Sequence, residues 1–157
     1  METKRTITVT VLNEHGVLSR ISGLFAGRGY NIESLTVAPI LDSNLSRITI
    51  ATQGDTKVLE QIIKQLHKLI PVLKVLENEQ IIEQESLLVK FNPECNLSEI
   101  STIFNAFNGR LLEANEKCII FVACDTHMRI NTLLNALKTY KPRDITRSGI
   151  LAIESGN

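Results

Sequence analysis

Leu87 stands 80 positions after Ile7, Gly109 stands 80 after Gly29, and Glu113 stands 80 after Glu33. Around each pair the same succession of patterns recurs. Thr6 to Val11 alternates polar and apolar as a half-buried strand does. Val17, Leu18, Ile21, Leu24 and Phe25 then fall on one helical face, and Gly29 follows as an αL stop. A second strand begins near Asn31. After a turn at Leu41 to Asn44, Ser46 to Ala51 reads as a third strand, broken at Gly54 and Asp55. Val58, Leu59, Ile62, Ile63, Leu66 and Leu69 line a second helix, stopped by Pro71. Val72 to Leu76 is a fourth strand. The order βαββαβ is the ferredoxin-like split βαβ.

The second copy repeats it. Leu87, Val89 and Phe91 alternate; Leu97, Ile100, Ile103, Phe104 and Phe107 line a helix that Gly109 ends. Arg110 to Glu113 opens a strand and Cys118 to Ala123 continues the sheet. Ile130, Leu133, Leu134 and Leu137 face inward from a helix stopped by Pro142, and Ile145 to Ile153 closes the unit. Solenoid units are about 20–50 residues long, so this period marks a duplicated domain. The expected fold is α+β, two tandem ferredoxin-like βαββαβ units over residues 1–80 and 81–157. The boundary falls in the polar stretch Asn78 to Ser86, where Ile81 and Ile82 alone are apolar.

Composition narrows the function. Seventeen basic and seventeen acidic residues leave no net charge, so no basic excess points to nucleic acid or to a membrane surface. No apolar run approaches the roughly 20 residues that span a bilayer. The first strand starts within a few residues of Met1, so no signal or transit peptide is expected. Cys95, Cys118 and Cys124 form an odd set without CxxC spacing, as expected of reduced intracellular thiols.

No catalytic or metal constellation is legible. His15, His67 and His127 lack HxxxH or HExxH spacing, and His67 is expected to be solvated. Walker, GxSxG and complete GxGxxG patterns are missing. Cys118 reads as a packed strand residue. Glu33 and Glu113 read as solvated strand-start residues.

The polar loop Asn13-Glu14-His15-Gly16 is the remaining candidate site. It opens a helix, whose free N–H groups favour a carboxylate or phosphate, and Gly16 permits close approach to the backbone. An ordinary strand-turn-helix connection explains the same residues. The second copy has Asn92-Pro93-Glu94-Cys95-Asn96 there, with no glycine, and Leu111 in place of Asn31. Either the first copy alone holds a small polar ligand or loops have drifted between repeats.

Asn13 to Arg20, Gly27 to Pro39, Leu45-Ser46-Arg47-Ile48-Thr49-Ile50 and Gln65 to Leu69 together resemble the acetolactate synthase (acetohydroxyacid synthase) small, regulatory subunit family. Thr146 to Ala152 resembles that family's closing strand, and Ser155-Gly156 stands where the family usually has Arg-Gly. The resemblance implies that the first unit is an ACT domain, effector-binding and dimerising. It implies that the second unit serves activation of a large catalytic subunit. The chain would then be no enzyme itself and hold no cofactor; thiamine diphosphate, Mg and FAD would belong to the large subunit. The expected effector is L-valine, the end product that feeds back on branched-chain amino-acid synthesis. The implied pocket comprises Asn13, His15, Gly16, Val17, Leu18, Asn31 and Ile32. Its donors would meet the valine carboxylate, and Val17, Leu18 and Ile32 would wall the isopropyl group while also packing the core. The implied partners are the large subunit, a second copy in a homodimer, and valine, with neither nucleic acid nor membrane. The implied location is a bacterial cytoplasm, or the plastid stroma if plastid-encoded. A free-standing sensor with tandem ACT units is the alternative, and copurification with a thiamine-diphosphate enzyme separates the two.

Overall fold

The computed structural model describes residues 2–77 and 80–156. Asn78 and Glu79, assigned above to the domain boundary, lie outside the described residues. In chain order the elements are β1 (Glu2–Leu12), α1 (Val17–Ala26), β2 (Ile32–Pro39), β3 (Leu45–Asp55), α2 (Thr56–Lys68), β4 (Val72–Glu77), β5 (Ile81–Phe91), α3 (Leu97–Asn105), β6 (Gly109–Ala114), β7 (Ile119–Asp125), α4 (His127–Leu137) and β8 (Asp144–Glu154). This is βαββαβ twice, as the periodicity predicts. The sheets run β2-β3-β1-β4 and β6-β7-β5-β8. β3 inserts antiparallel between β1 and β2, which is what splits the βαβ unit.

Each unit has its own core. In the first, Ile7, Val9 and Val11 of β1 and Ile48 and Ile50 of β3 meet Val17, Ile21 and Phe25 of α1 and Leu59, Ile62 and Leu66 of α2. In the second, Phe104 stacks on Phe121 at 4.5 Å between ring centroids, and Phe91 meets both edge-on. Leu18 shares the apolar stripe of α1 yet is 38% exposed, so the core does not use it.

Three local expectations are corrected. β3 is not broken at Gly54 and Asp55: Gly54 pairs with Thr3 and Asp55 with Glu2, and Asp55 then caps α2 by accepting from the Lys57 N–H at 2.9 Å. β5 begins at Ile81, inside the stretch read as a polar boundary, because Ile81 is buried. Gly109 does not end α3 but begins β6, and the αL stop is the residue before it. Asn108 takes that conformation at φ 54°, and a Cβ on Gly109 would sit 2.7 Å from Phe104 Cδ1. Two lesser differences follow. Cys118 precedes β7 and is only half-buried. α4 gives way to a 3₁₀ turn at Lys138–Tyr140 before Pro142.

Gly54 owes its identity to Tyr30. A Cβ there would stand 1.5 Å from the Tyr30 ring, whose hydroxyl accepts from the Asp55 N–H at 2.9 Å. Gly54→Ala should therefore displace the ring and cost about 2 kcal/mol by overpacking. Chemical denaturation should show a smaller penalty for the same change in a Tyr30→Ala background; equal penalties would mean the ring is not the obstacle.

The chain divides into one compact unit of Met1–Ile82 with Gly149–Asn157 and another of Glu83–Ser148. The end of β8 thus belongs with the first unit. There the Thr36 hydroxyl donates to the Ile150 carbonyl at 3.1 Å and the Ile150 N–H donates to Ser34 Oγ at 3.3 Å. Gly149 has φ +79°, and a Cβ on it would lie 2.9 Å from Ser34 Cβ.

Candidate functional site

Asn13, Glu14, His15 and Gly16 form an exposed turn after β1. The Asn13 N–H donates to the Asn44 carbonyl and the Glu14 N–H to that of Leu12, at 2.8 and 2.9 Å. These bonds fix the backbone and leave the side chains outward. Gly16 is the N-cap of α1 with φ 80° and ψ −3°, and no side chain caps this helix start. The other helices differ: Asp55 caps α2, Asn96 caps α3 and Thr126 caps α4. The first N–H groups of α1 have no intrahelical partner, and its first turn carries no acidic residue. A Cβ on Gly16 would meet no atom within 4 Å. The start of α1 is therefore open to an anion.

Val17 is buried, Leu18 is partly exposed beside it, Asn31 is exposed and Ile32 is half-buried. The Asn31 carbonyl accepts from Thr52 Oγ1 at 2.9 Å. The seven predicted residues do not converge within one chain. Ile32 pairs with Thr52 and Thr52 with Arg5, whereas Leu12 pairs with Leu45. Asn13, His15, Gly16, Val17 and Leu18 thus stand at one end of the sheet. Asn31 and Ile32 stand at the other, roughly 23 Å along the strands at about 3.3 Å per residue. Asn31 there lines an open depression with Tyr30, Glu33, Gln53 and Asp55, in which Glu33 pairs with Lys4 at 3.2 Å.

Two charged features escaped the sequence reading. Glu85 is buried in the second unit, where Arg147 grips it through Nε and Nη2 at 2.6 and 2.9 Å. His127 Nδ1 lies 2.7 Å from Oε2, the oxygen that Arg147 Nη2 also reaches. The legible signal was parity, since the inward row Leu87, Val89, Phe91 extends back to position 85. The second feature is Arg47, whose Nε is buried without a partner. Among the described residues no group of three or more His, Cys, Asp or Glu could hold a metal. Among the described residues, no helix is long and apolar enough to cross a membrane.

Residues 7–74 match the family model described as an AHAS small subunit-like ACT domain, and residues 84–156 match that of the small subunit of acetolactate synthase. The acetolactate synthase small subunit of Buchnera aphidicola subsp. Baizongia pistaciae is 44% identical over 153 residues, covering 95% of this chain and 96% of that one. The isozyme 3 small subunit of Escherichia coli K12 is 40% identical, with 98% and 97% covered. The crystal structure of the Thermotoga maritima acetolactate synthase small subunit superposes with a TM-score of 0.85 at 31% identity, over 99% of both chains.

Proposed function

The chain belongs to the acetolactate synthase small-subunit family, and from that premise we propose that it binds and activates a large catalytic subunit in the cytoplasm and carries valine feedback to it. Valine sits at the interface of two paired copies, and the uncapped start of α1 is the observation that carries this reading.

β2 is an edge strand, with Leu35 37% and Val37 50% exposed. An unpaired edge with apolar side chains is a template for a second copy. An antiparallel two-fold pairing about the middle of β2 sets Ile32 of one chain beside the Pro39 end of the other. That is the end at which the Asn13 loop stands, since Pro39 pairs with Ser46 and Leu12 with Leu45. The two halves of the predicted pocket then meet across the interface. Valine's carboxylate meets the N–H groups of the α1 start and the amides of Asn13 and the second chain's Asn31. Its isopropyl group meets Leu18 and the second chain's Ile32.

The second unit holds no such site, because Asn96 already caps α3 and Leu111 replaces Asn31. Its exposed Leu111 and Leu112 on β6 suit contact with the large subunit. Leu112→Asp should lower activation of the large subunit and leave the valine affinity alone. Equal losses in both would contradict this division of labour.

The direct test is reconstitution. The chain alone should not convert pyruvate; mixed with its large subunit it should raise the rate and make it respond to valine. Sedimentation at micromolar concentration should give a dimer. Turnover by the chain alone, or a stable monomer, would remove the reading.

A further inference from the structure

The first unit's sheet has two faces. Val9, Ile48 and Ile50 point to the helices, so Thr8, Arg47 and Thr49 stand on the opposite face by strand alternation. Thr8 pairs with Thr49, and Thr49 with Thr36. This face is covered in part by the end of β8, held by the two hydrogen bonds from Ser34 and Thr36 described above.

Between β2, β3 and that returning segment lies a cavity of about 270 Å³, lined by Arg47, Thr36, Thr49, Val37, Ile40 and Leu151 among others. The buried side-chain polar atoms without a partner among the described residues are Thr8 Oγ1 and Arg47 Nε. Both belong to this face. More than nine in ten buried polar groups in folded proteins find a partner, and an exception asks for one, an ordered water, an ion or a ligand. The case is sharper for Arg47. Its guanidinium is always charged, the residue is half-buried, and its buried Nε edge is left without the partner that a desolvated donor needs. None of the ion pairs among the described residues includes it, and no acidic side chain lines the cavity.

We propose that this cavity is a second ligand site, which takes a short aliphatic carboxylate lacking an ammonium group, with Arg47 as its counter-ion. A guanidinium fork matches a carboxylate's two oxygens, and the Thr49 hydroxyl is a further donor on the same wall. The remaining walls on this face, Ala38, Ile40, Leu151 and Ala152, suit an alkyl body rather than a bare inorganic anion. The volume lies below the roughly 300–1,000 Å³ of pockets for drug-sized ligands, so a nucleotide does not fit. The absence of a carboxylate in the lining leaves an amino acid's ammonium unanswered. The ligand is therefore chemically separate from a zwitterionic effector at the α1 start.

The test is calorimetric titration of the full chain with isobutyrate, which has a branched alkyl body and no ammonium. Isobutyramide supplies the same shape without charge, and inorganic phosphate the charge without the alkyl group. Saturable binding of isobutyrate, with affinity of about millimolar order for so small a ligand, is expected, and neither comparator should bind measurably. Arg47→Gln should weaken isobutyrate at least tenfold. Leu151→Trp should weaken it too, by filling the cavity from its rim while keeping the guanidinium. Saturating valine should not displace it. Without ligand, Arg47→Gln should melt no lower than the unaltered chain, because it removes a charge that has no partner. The proposal is overturned by no saturable isobutyrate binding, by undiminished binding in Arg47→Gln, by equal binding of phosphate, or by displacement with valine. It is equally overturned if ligand-free Arg47→Gln melts lower, which would reveal a structural partner.

Discussion

Valine should lose its hold on the reconstituted enzyme when Gly16 becomes aspartate, while activation of the large subunit survives. Gly16 has φ 80°, and an added Cβ meets nothing within 4 Å, so the chain accommodates the side chain sterically. The left-handed conformation costs a non-glycine residue about 1 kcal/mol, and aspartate tolerates it better than most. The damage falls on the ligand. Aspartate is among the best N-cap residues, so its carboxylate competes for the open N–H groups of α1 that a valine carboxylate requires. Two carboxylates about 4 Å apart repel by roughly 4 kcal/mol at an effective dielectric of 20. That is comparable with the whole binding energy of a millimolar ligand, about 4 kcal/mol. Gly16→Ala separates the causes, since it carries the backbone strain without the charge and should weaken valine far less. Asn31→His should also weaken it, by putting a bulkier ring where an amide donates. The deciding measurement is a valine titration of each reconstituted variant. Undiminished inhibition in Gly16→Asp, with normal assembly, would falsify the site.

The architecture was legible because two periods and their stops carried it. Thr6 to Val11 and Leu87 to Phe91 alternate, the four helices show their inward faces at helical spacing, and Gly29 stops α1 in the αL conformation at φ 71°. What misled was treating glycine as punctuation. Gly54 lies within a strand and Gly109 begins one, and each is glycine because an aromatic ring stands where its Cβ would be. Such close approaches join residues far apart in sequence, Tyr30 with Gly54 for instance, so no local window holds the signal. Polarity misled in the same way at Glu85, read as part of a linker although it occupies an inward strand position. The return of Gly149–Asn157 to the first unit could not be read from a repeat, which assigns the closing strand wholly to its own copy. The loop at Asn13 to Gly16 was legible as a helix start with free N–H groups. That no side chain caps it, while the other helices are capped by their own side chains, is a matter of side-chain geometry that the sequence does not carry.

Arg147→Ala should be the most destabilising single change in the second unit's polar network, and its cost should shrink in acid. Glu85 is 2% exposed and Arg147 is 34% exposed by side chain. The arginine joins β8 to β5 through both carboxylate oxygens, and to α4 through Asn131 Oδ1 at 2.9 Å. Removing one partner of a buried pair typically costs about 3–5 kcal/mol. The partial exposure of Arg147 and the remaining His127 contact reduce this to about 2–3 kcal/mol, which lowers Tm by roughly 10 °C in a domain of this size. Burial by itself would push the Glu85 carboxyl up; the hydrogen bonds and charges of Arg147 and His127 together outweigh it and hold it below its usual 4.5. A carboxyl depressed in the folded state contributes stability above its unfolded pKa, and that contribution is lost as pH falls through the folded value. The unaltered chain should therefore lose this contribution on acidification below about pH 4.5. In Arg147→Ala, burial is no longer opposed by the fork, the carboxyl titrates higher, and protonation relieves an uncompensated buried charge. The difference in Tm between the two proteins should be large at pH 7 and smaller at pH 4. Arg147→Lys, which keeps the charge without the fork, should fall between them. A difference that is negligible at pH 7, or that widens in acid, would show that Glu85 is held by something other than Arg147.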